Sequence, residues 1–137
     1  MNPKESIMEK KQSDKFKCGL ETRRAVLGAE YVDKAVATAD DFNWEMQQLA
    51  TGYCWDEIWN HPGLDRRTRS FLNLAMISAL NRPQEIKLHI RGALKSGLTK
   101  DEIKEVFLQV CIYCGVPAAI ESFRLAREVF QEIEENG

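Results

Sequence analysis

Glycine and proline punctuation most constrains this 137-residue chain. Gly28, His61-Pro62-Gly63, Asn81-Arg82-Pro83, Gly97-Leu98-Thr99 and Gly115-Val116-Pro117 cut the sequence into segments of helical length. Within the segments, apolar residues recur every three or four positions, the repeat of one helix face. Val, Ile and Thr never alternate with polar residues for long enough to line one face of a strand. The expectation is an all-α fold of about six to eight helices.

The signals are local and specific. Leu20, Arg23, Arg24, Val26 and Leu27 precede Gly28, a helix end. Asp40 or Asp41 is placed to cap a helix through Phe42, Met46, Leu49 and Tyr53, with Trp55 and Trp59 four apart beyond it. Asp65 suits the N-cap of an apolar helix containing Phe71, Leu72, Leu74, Ile77 and Leu80. Pro83 fits a first helical turn, and Ile86, Ile90, Ala93 and Leu94 then form a stripe. Gly97 suits a left-handed helix end, while Thr99 and Glu102 have capping-box spacing. Pro117 opens a last helix through Phe123, Ala126, Val129 and Phe130. Residues 1–16 read as a solvated, frayed tail and 17–137 as a single domain.

A formal net charge of −2 argues against nucleic-acid binding, which needs a basic face. No apolar run approaches the length of a membrane span, and the N-terminus lacks the apolar middle of a signal peptide. The expected location is the cytoplasm, with the four cysteines reduced. No His, Cys, Asp and Glu spacing makes a metal site.

Chemistry points first to Glu85 and His89. Four residues apart on a helix, they share a face, one turn above the other. Imidazole titrates near neutral pH and suits proton transfer. The plain alternative is a surface or interface pair worth a few tenths of a kcal/mol. Arg66, Arg67 and Arg69 taken alone read as a solvated first turn or an interface ion-pair patch, but they oppose the dipole of the helix they begin, which mildly favours a functional reason for at least one of them. Cys111 and Cys114 form a Cys-x-x-Cys at the end of a helix, where the dipole disfavours a thiolate. They read as buried packing residues.

Eight stretches in order give a wider comparison. They are Arg24-Ala25-Val26-Leu27-Gly28, Asp41-Phe42-Asn43, Trp55-Asp56-Glu57-Ile58-Trp59 and Pro62-Gly63-Leu64. Arg66-Arg67-Thr68-Arg69-Ser70 and Glu85-Ile86-Lys87-Leu88-His89 follow, then Gly97-Leu98-Thr99 with Glu102-Ile103, and Tyr113-Cys114-Gly115-Val116-Pro117-Ala118-Ala119. Over about residues 20–133 this order resembles the carboxymuconolactone decarboxylase family, in its decarboxylase branch.

The resemblance implies an alkylhydroperoxidase D-like helical fold. It also implies cofactor-free conversion of 4-carboxymuconolactone to 3-oxoadipate enol-lactone, a step of protocatechuate breakdown. The redox branch carries a Cys-x-x-Cys just before its histidine and a glutamate on the preceding helix. Here Arg82 and Glu85 precede His89, and Ser70 or a neighbour stands near the glutamate position, so the redox apparatus is missing there.

In the implied reaction His89 returns a proton to carbon and Glu85 orients the imidazole. Arg66 or Arg69 clamps a carboxylate, and Trp55 and Trp59 wall a water-poor pocket. The implied partner is a small lactone dicarboxylate, and the implied assembly a homo-oligomer, a trimer or hexamer. Two alternatives compete: a thiol-dependent peroxidase using Cys111 and Cys114, and a non-enzymatic helical oligomer.

Overall fold

A computed structural model describes residues 12–136. Every regular element among them is helical, as expected: seven α-helices and one π-helical segment. In chain order these are α1 (Asp14–Leu27), α2 (Ala29–Ala37) and α3 (Trp44–Gln48), which runs on into the π-helix Leu49–Ile58. Then come α4 (Arg66–Ala79), α5 (Pro83–Lys95), α6 (Lys100–Cys114) and α7 (Val116–Asn136). The chain groups into two compact units, the first ending at Leu64 and the second starting at Asp65, where the sequence reading expects one domain.

The sequence punctuation corresponds to real ends. Gly28, Gly97 and Gly115 all take positive φ, near +100°, where a side chain would be strained. Asp65 Oδ1 accepts from the Thr68 amide at 2.7 Å. Thr99 and Glu102 form the full capping box, each side chain accepting from the other's backbone amide at 3.0 Å. The frayed tail proves too long at its inner end. Helix α1 starts at Asp14, and Phe16 is buried. The rest of the tail, residues 1–11, lies outside the described residues.

In the first unit α1 packs on the π-helix. Gly19 permits the approach: a Cβ there would overlap the Thr51 carbonyl oxygen. Phe16 meets Trp44, ring centroids 5.3 Å apart. Two expectations fail here. The helix after Asp40 begins only at Trp44, because Asp40 Oδ1 instead accepts from the Phe42 and Asn43 amides in a turn. Phe42, Met46, Leu49 and Tyr53 are consequently exposed, Phe42 at 96%. The buried set is Trp44, Thr51, Gly52, Trp55 and Trp59. Beyond Gln48 the backbone amides bond five residues back, as in the bond from the Trp59 amide to the Cys54 carbonyl at 3.0 Å.

The second unit has its own core, Leu74, Ile86, Ile90, Ala93, Leu98, Ile103, Phe107, Leu125, Ala126 and Val129. Each fully buried Ile or Phe of this set contributes about 1.5–3 kcal/mol. Across α5 and α7, Lys87 Nζ lies 3.0 Å from Glu132 and 3.3 Å from Glu128. Among the described residues no helix is long and apolar enough to cross a membrane.

Candidate active site

Helix α5 is set by its apolar stripe. Ile86, Ile90 and Ala93 are buried, which turns residues 85 and 89 to the margin of the stripe. Glu85 lies in the first turn, where the helix dipole favours a carboxylate, and is exposed. His89, one turn on, is half-buried. Burial lowers its pKa from the ordinary 6.5 to about 4, against the opposing pull of the Glu85 carboxylate. The imidazole is therefore neutral at neutral pH, with desolvation outweighing the favourable charge.

The arginine cluster on α4 separates into different roles. Arg67 pairs with Glu102 of α6 and lies over the Phe71 ring, 5.4 Å from its centroid. That bond holds the Glu102 pKa down and ties the capping box of α6 to α4. Arg66 is exposed and Arg69 half-buried, three residues apart in the first turn of the same helix. Glu85, His89, Arg66 and Arg69 thus all belong to the second unit, on α4 and α5.

Trp55 and Trp59 belong to the first unit. Both are buried, and their rings stack with centroids 4.6 Å apart and planes at 19°. Burial raises the pKa of the neighbouring Cys54, while a hydrogen bond with Trp59 and the charge of Arg23 oppose it.

The packing role expected of Cys111 and Cys114 does not hold. The buried stripe of α6, Ile103, Phe107 and Val110, ends before them, leaving Cys111 half-buried and Cys114 exposed. Among the described residues no group of three His, Cys, Asp or Glu side chains is placed to hold a metal.

The model of the carboxymuconolactone decarboxylase family matches residues 45–128, more than half of the chain. The chain belongs to this family. It is 39% identical to a 4-carboxymuconolactone decarboxylase of Acinetobacter baylyi, over 87% of this chain and 89% of the relative. It is also 38% identical to a nitrosuccinic acid decarboxylase of Metarhizium robertsii, over 89% of this chain and 85% of that protein. A 4-carboxymuconolactone decarboxylase of Pseudomonas putida is 40% identical over 36% of this chain. The chain is an enzyme of the decarboxylase, or carboxy-lyase, class.

One residue of the first helical run has no role legible in the sequence. Arg23 of α1 is buried, 8% exposed. It continues a stripe of Phe16, Gly19, Leu20, Val26 and Leu27, all buried. A charge at a core register was the available signal. It was masked by Arg24 beside it, an exposed arginine whose Nε donates to Asp33 at 2.6 Å.

Proposed function

We propose that the chain decarboxylates 4-carboxymuconolactone to 3-oxoadipate enol-lactone by proton chemistry alone, with His89 as the group that handles the proton. The observation carrying this reading is the Glu85–His89 pair at the edge of the α5 stripe, with a carboxylate where a redox relative has a thiol.

The departing carboxylate lies gamma to the lactone carbonyl, across a double bond. As CO2 leaves, its bonding pair flows through that double bond to the carbonyl oxygen, making a furan-like oxyanion. A proton must then reach the alpha carbon as the pair returns. Resting His89 is neutral, so it first needs a proton of its own. An anionic substrate nearby raises the pKa of the imidazole in the direction in which Glu85 already acts. The protonated ring then serves as general acid to carbon and returns to its neutral, preferred state. Arg66 or Arg69 is proposed to hold a carboxylate.

A second reading has its own support. Similarity to the nitrosuccinic acid decarboxylase is nearly equal in identity and coverage. A nitro group is also an electron sink, so the same proton donor would serve.

The assembly is proposed to be a homo-oligomer, a trimer or hexamer, in the cytoplasm. Exposed Leu108, Ile112, Tyr113, Val116 and Ile120 around the α6–α7 junction support the association.

The test is ultraviolet-monitored loss of the lactone, run beside nitrosuccinate, with wild type and His89→Gln. Turnover of the lactone that falls at least about a hundredfold in the variant is the expected result. Near-normal turnover by His89→Gln would remove His89 from the mechanism.

A further inference from the structure

The first unit buries a positive charge that none of its described residues neutralises. Arg23 Nη1 donates to Gln47 Oε1 at 2.9 Å and to Thr51 Oγ1 at 3.3 Å. The Tyr31 hydroxyl and the Cys54 thiol are its other close polar neighbours. None of the four is a carboxylate. Among the described residues no Asp or Glu forms an ion pair with Arg23, and its Nε is buried with no hydrogen-bond partner.

A guanidinium in this state is costly. It stays protonated at any ordinary pH, and a buried charge needs both an opposite charge and matched hydrogen bonds. The fold nevertheless maintains the arrangement with care. Arg23 lies one turn beyond Gly19, whose missing Cβ lets the Thr51 carbonyl approach α1. The π-helical turn carries both Thr51 and Cys54, and π-helical segments concentrate at functional sites. Nε is also one of the two donors on the guanidinium edge that receives a carboxylate side-on.

We propose that Arg23, with Gln47, Thr51 and Tyr31, forms a binding site in the first unit for the carboxylate of a small organic acid. The ligand supplies the missing negative charge and an acceptor for Nε, and the Tyr31 hydroxyl, on a partly exposed side chain, donates to its second oxygen. The carboxylate has two possible sources, the substrate of the decarboxylase reaction or a separate acid metabolite. The site itself does not depend on the proposed reaction.

Succinate is the probe, added to the full chain at constant ionic strength, with chloride and inorganic phosphate as competitors. The Arg23 Nε resonance is expected to shift saturably with succinate and not with chloride. Saturating succinate should raise the melting temperature by on the order of 5 °C. Arg23→Lys keeps the charge but loses the planar fork, and should weaken succinate about tenfold or more. Arg23→Met removes the buried charge with similar bulk. It should melt at or above the unliganded wild type and ignore succinate.

An Nε resonance indifferent to succinate, or Arg23→Lys binding succinate as tightly as wild type, overturns the proposal. Phosphate binding as tightly as succinate overturns the carboxylate assignment. If Arg23→Met fails to fold, the Arg23→Lys result decides. A raised KM for the lactone in Arg23→Lys identifies the substrate as the source. Lost succinate binding at unchanged KM identifies a separate acid. A chain that binds succinate through Arg23 yet leaves the lactone intact defeats the decarboxylation reading and keeps this one.

Discussion

Glu85 stands one helical turn before His89 and still does not keep the imidazole charged, because burial takes that pKa to about 4 against the pull of the carboxylate. The native state therefore prefers neutral His89, while the unfolded chain takes up a proton near pH 6.5. Below that pH the unfolded state binds more protons, so stability is complete above about 6.5 and declines as the pH falls towards 4. Between pH 7 and pH 5 the loss assigned to His89 is about 2 kcal/mol. Urea melts at the two pH values should show it, and His89→Gln should lose markedly less over the same interval. Equal losses in both proteins would mean that His89 is not the group responsible.

Glu85→Gln gives a second view of the same pair. The carboxylate raises the His89 pKa, so its removal should move the titration midpoint below the wild-type value. Ring-carbon chemical shifts of His89 followed from pH 7 to pH 3 report this directly. A merely steric role for Glu85 would leave the midpoint where it is. The decarboxylase reading adds slower turnover in this variant, through poorer protonation of His89 beside bound substrate.

The second unit was nearly transparent in the sequence, and the first was not. In the second unit each helix carries its own stop and start. Asp65, Pro83, Gly97 with Thr99, and Gly115 act within a few residues of themselves, so local chemistry alone fixes the ends. Glu85 and His89 were legible because they lie on one uninterrupted α-helix, where spacing translates directly into geometry. In the first unit the periodicity itself changes. Residues 49–58 bond five residues back instead of four, which no α-helical template anticipates, and Leu49 and Tyr53 are exposed there. The role of Arg23 was hidden for a related reason, since its burial depends on Thr51 and Gln47, 28 and 24 residues away in sequence. The His89 charge state was equally hidden, because desolvation comes from packing between helices.

Gly19 tests the close approach on which that first unit rests. A methyl group there would overlap the Thr51 carbonyl oxygen, a backbone atom that cannot rotate aside. In most helix interiors Gly→Ala stabilises through the unfolded chain. Here the sign should reverse, with Gly19→Ala destabilising by about 2–3 kcal/mol as α1 and the π-helix are pushed apart. Denaturant melts measure it, and an increase in stability would show that the two elements separate without penalty. Fluorescence supplies a second readout, because the stacked Trp55 and Trp59 lie on the displaced element.

Cys111 and Cys114 decide between proton and thiol chemistry. All four cysteines are free; Cys18 and Cys114 are exposed, while Cys54 and Cys111 are half-buried. A thiol reagent should therefore label the folded protein in two phases, Cys18 and Cys114 ahead of Cys54 and Cys111. The thiol pair has no part in the proposed decarboxylation, and it lies at the end of α6, away from the Glu85–His89 row in sequence. Replacing both by serine should leave lactone turnover within about twofold of wild type, the tolerance of surface substitutions outside a site. The same variant should consume peroxide no more slowly than the wild type in the presence of a dithiol. Peroxide consumption by the wild type that disappears in the double variant, with lactone turnover absent in both, would reassign the chain to thiol chemistry.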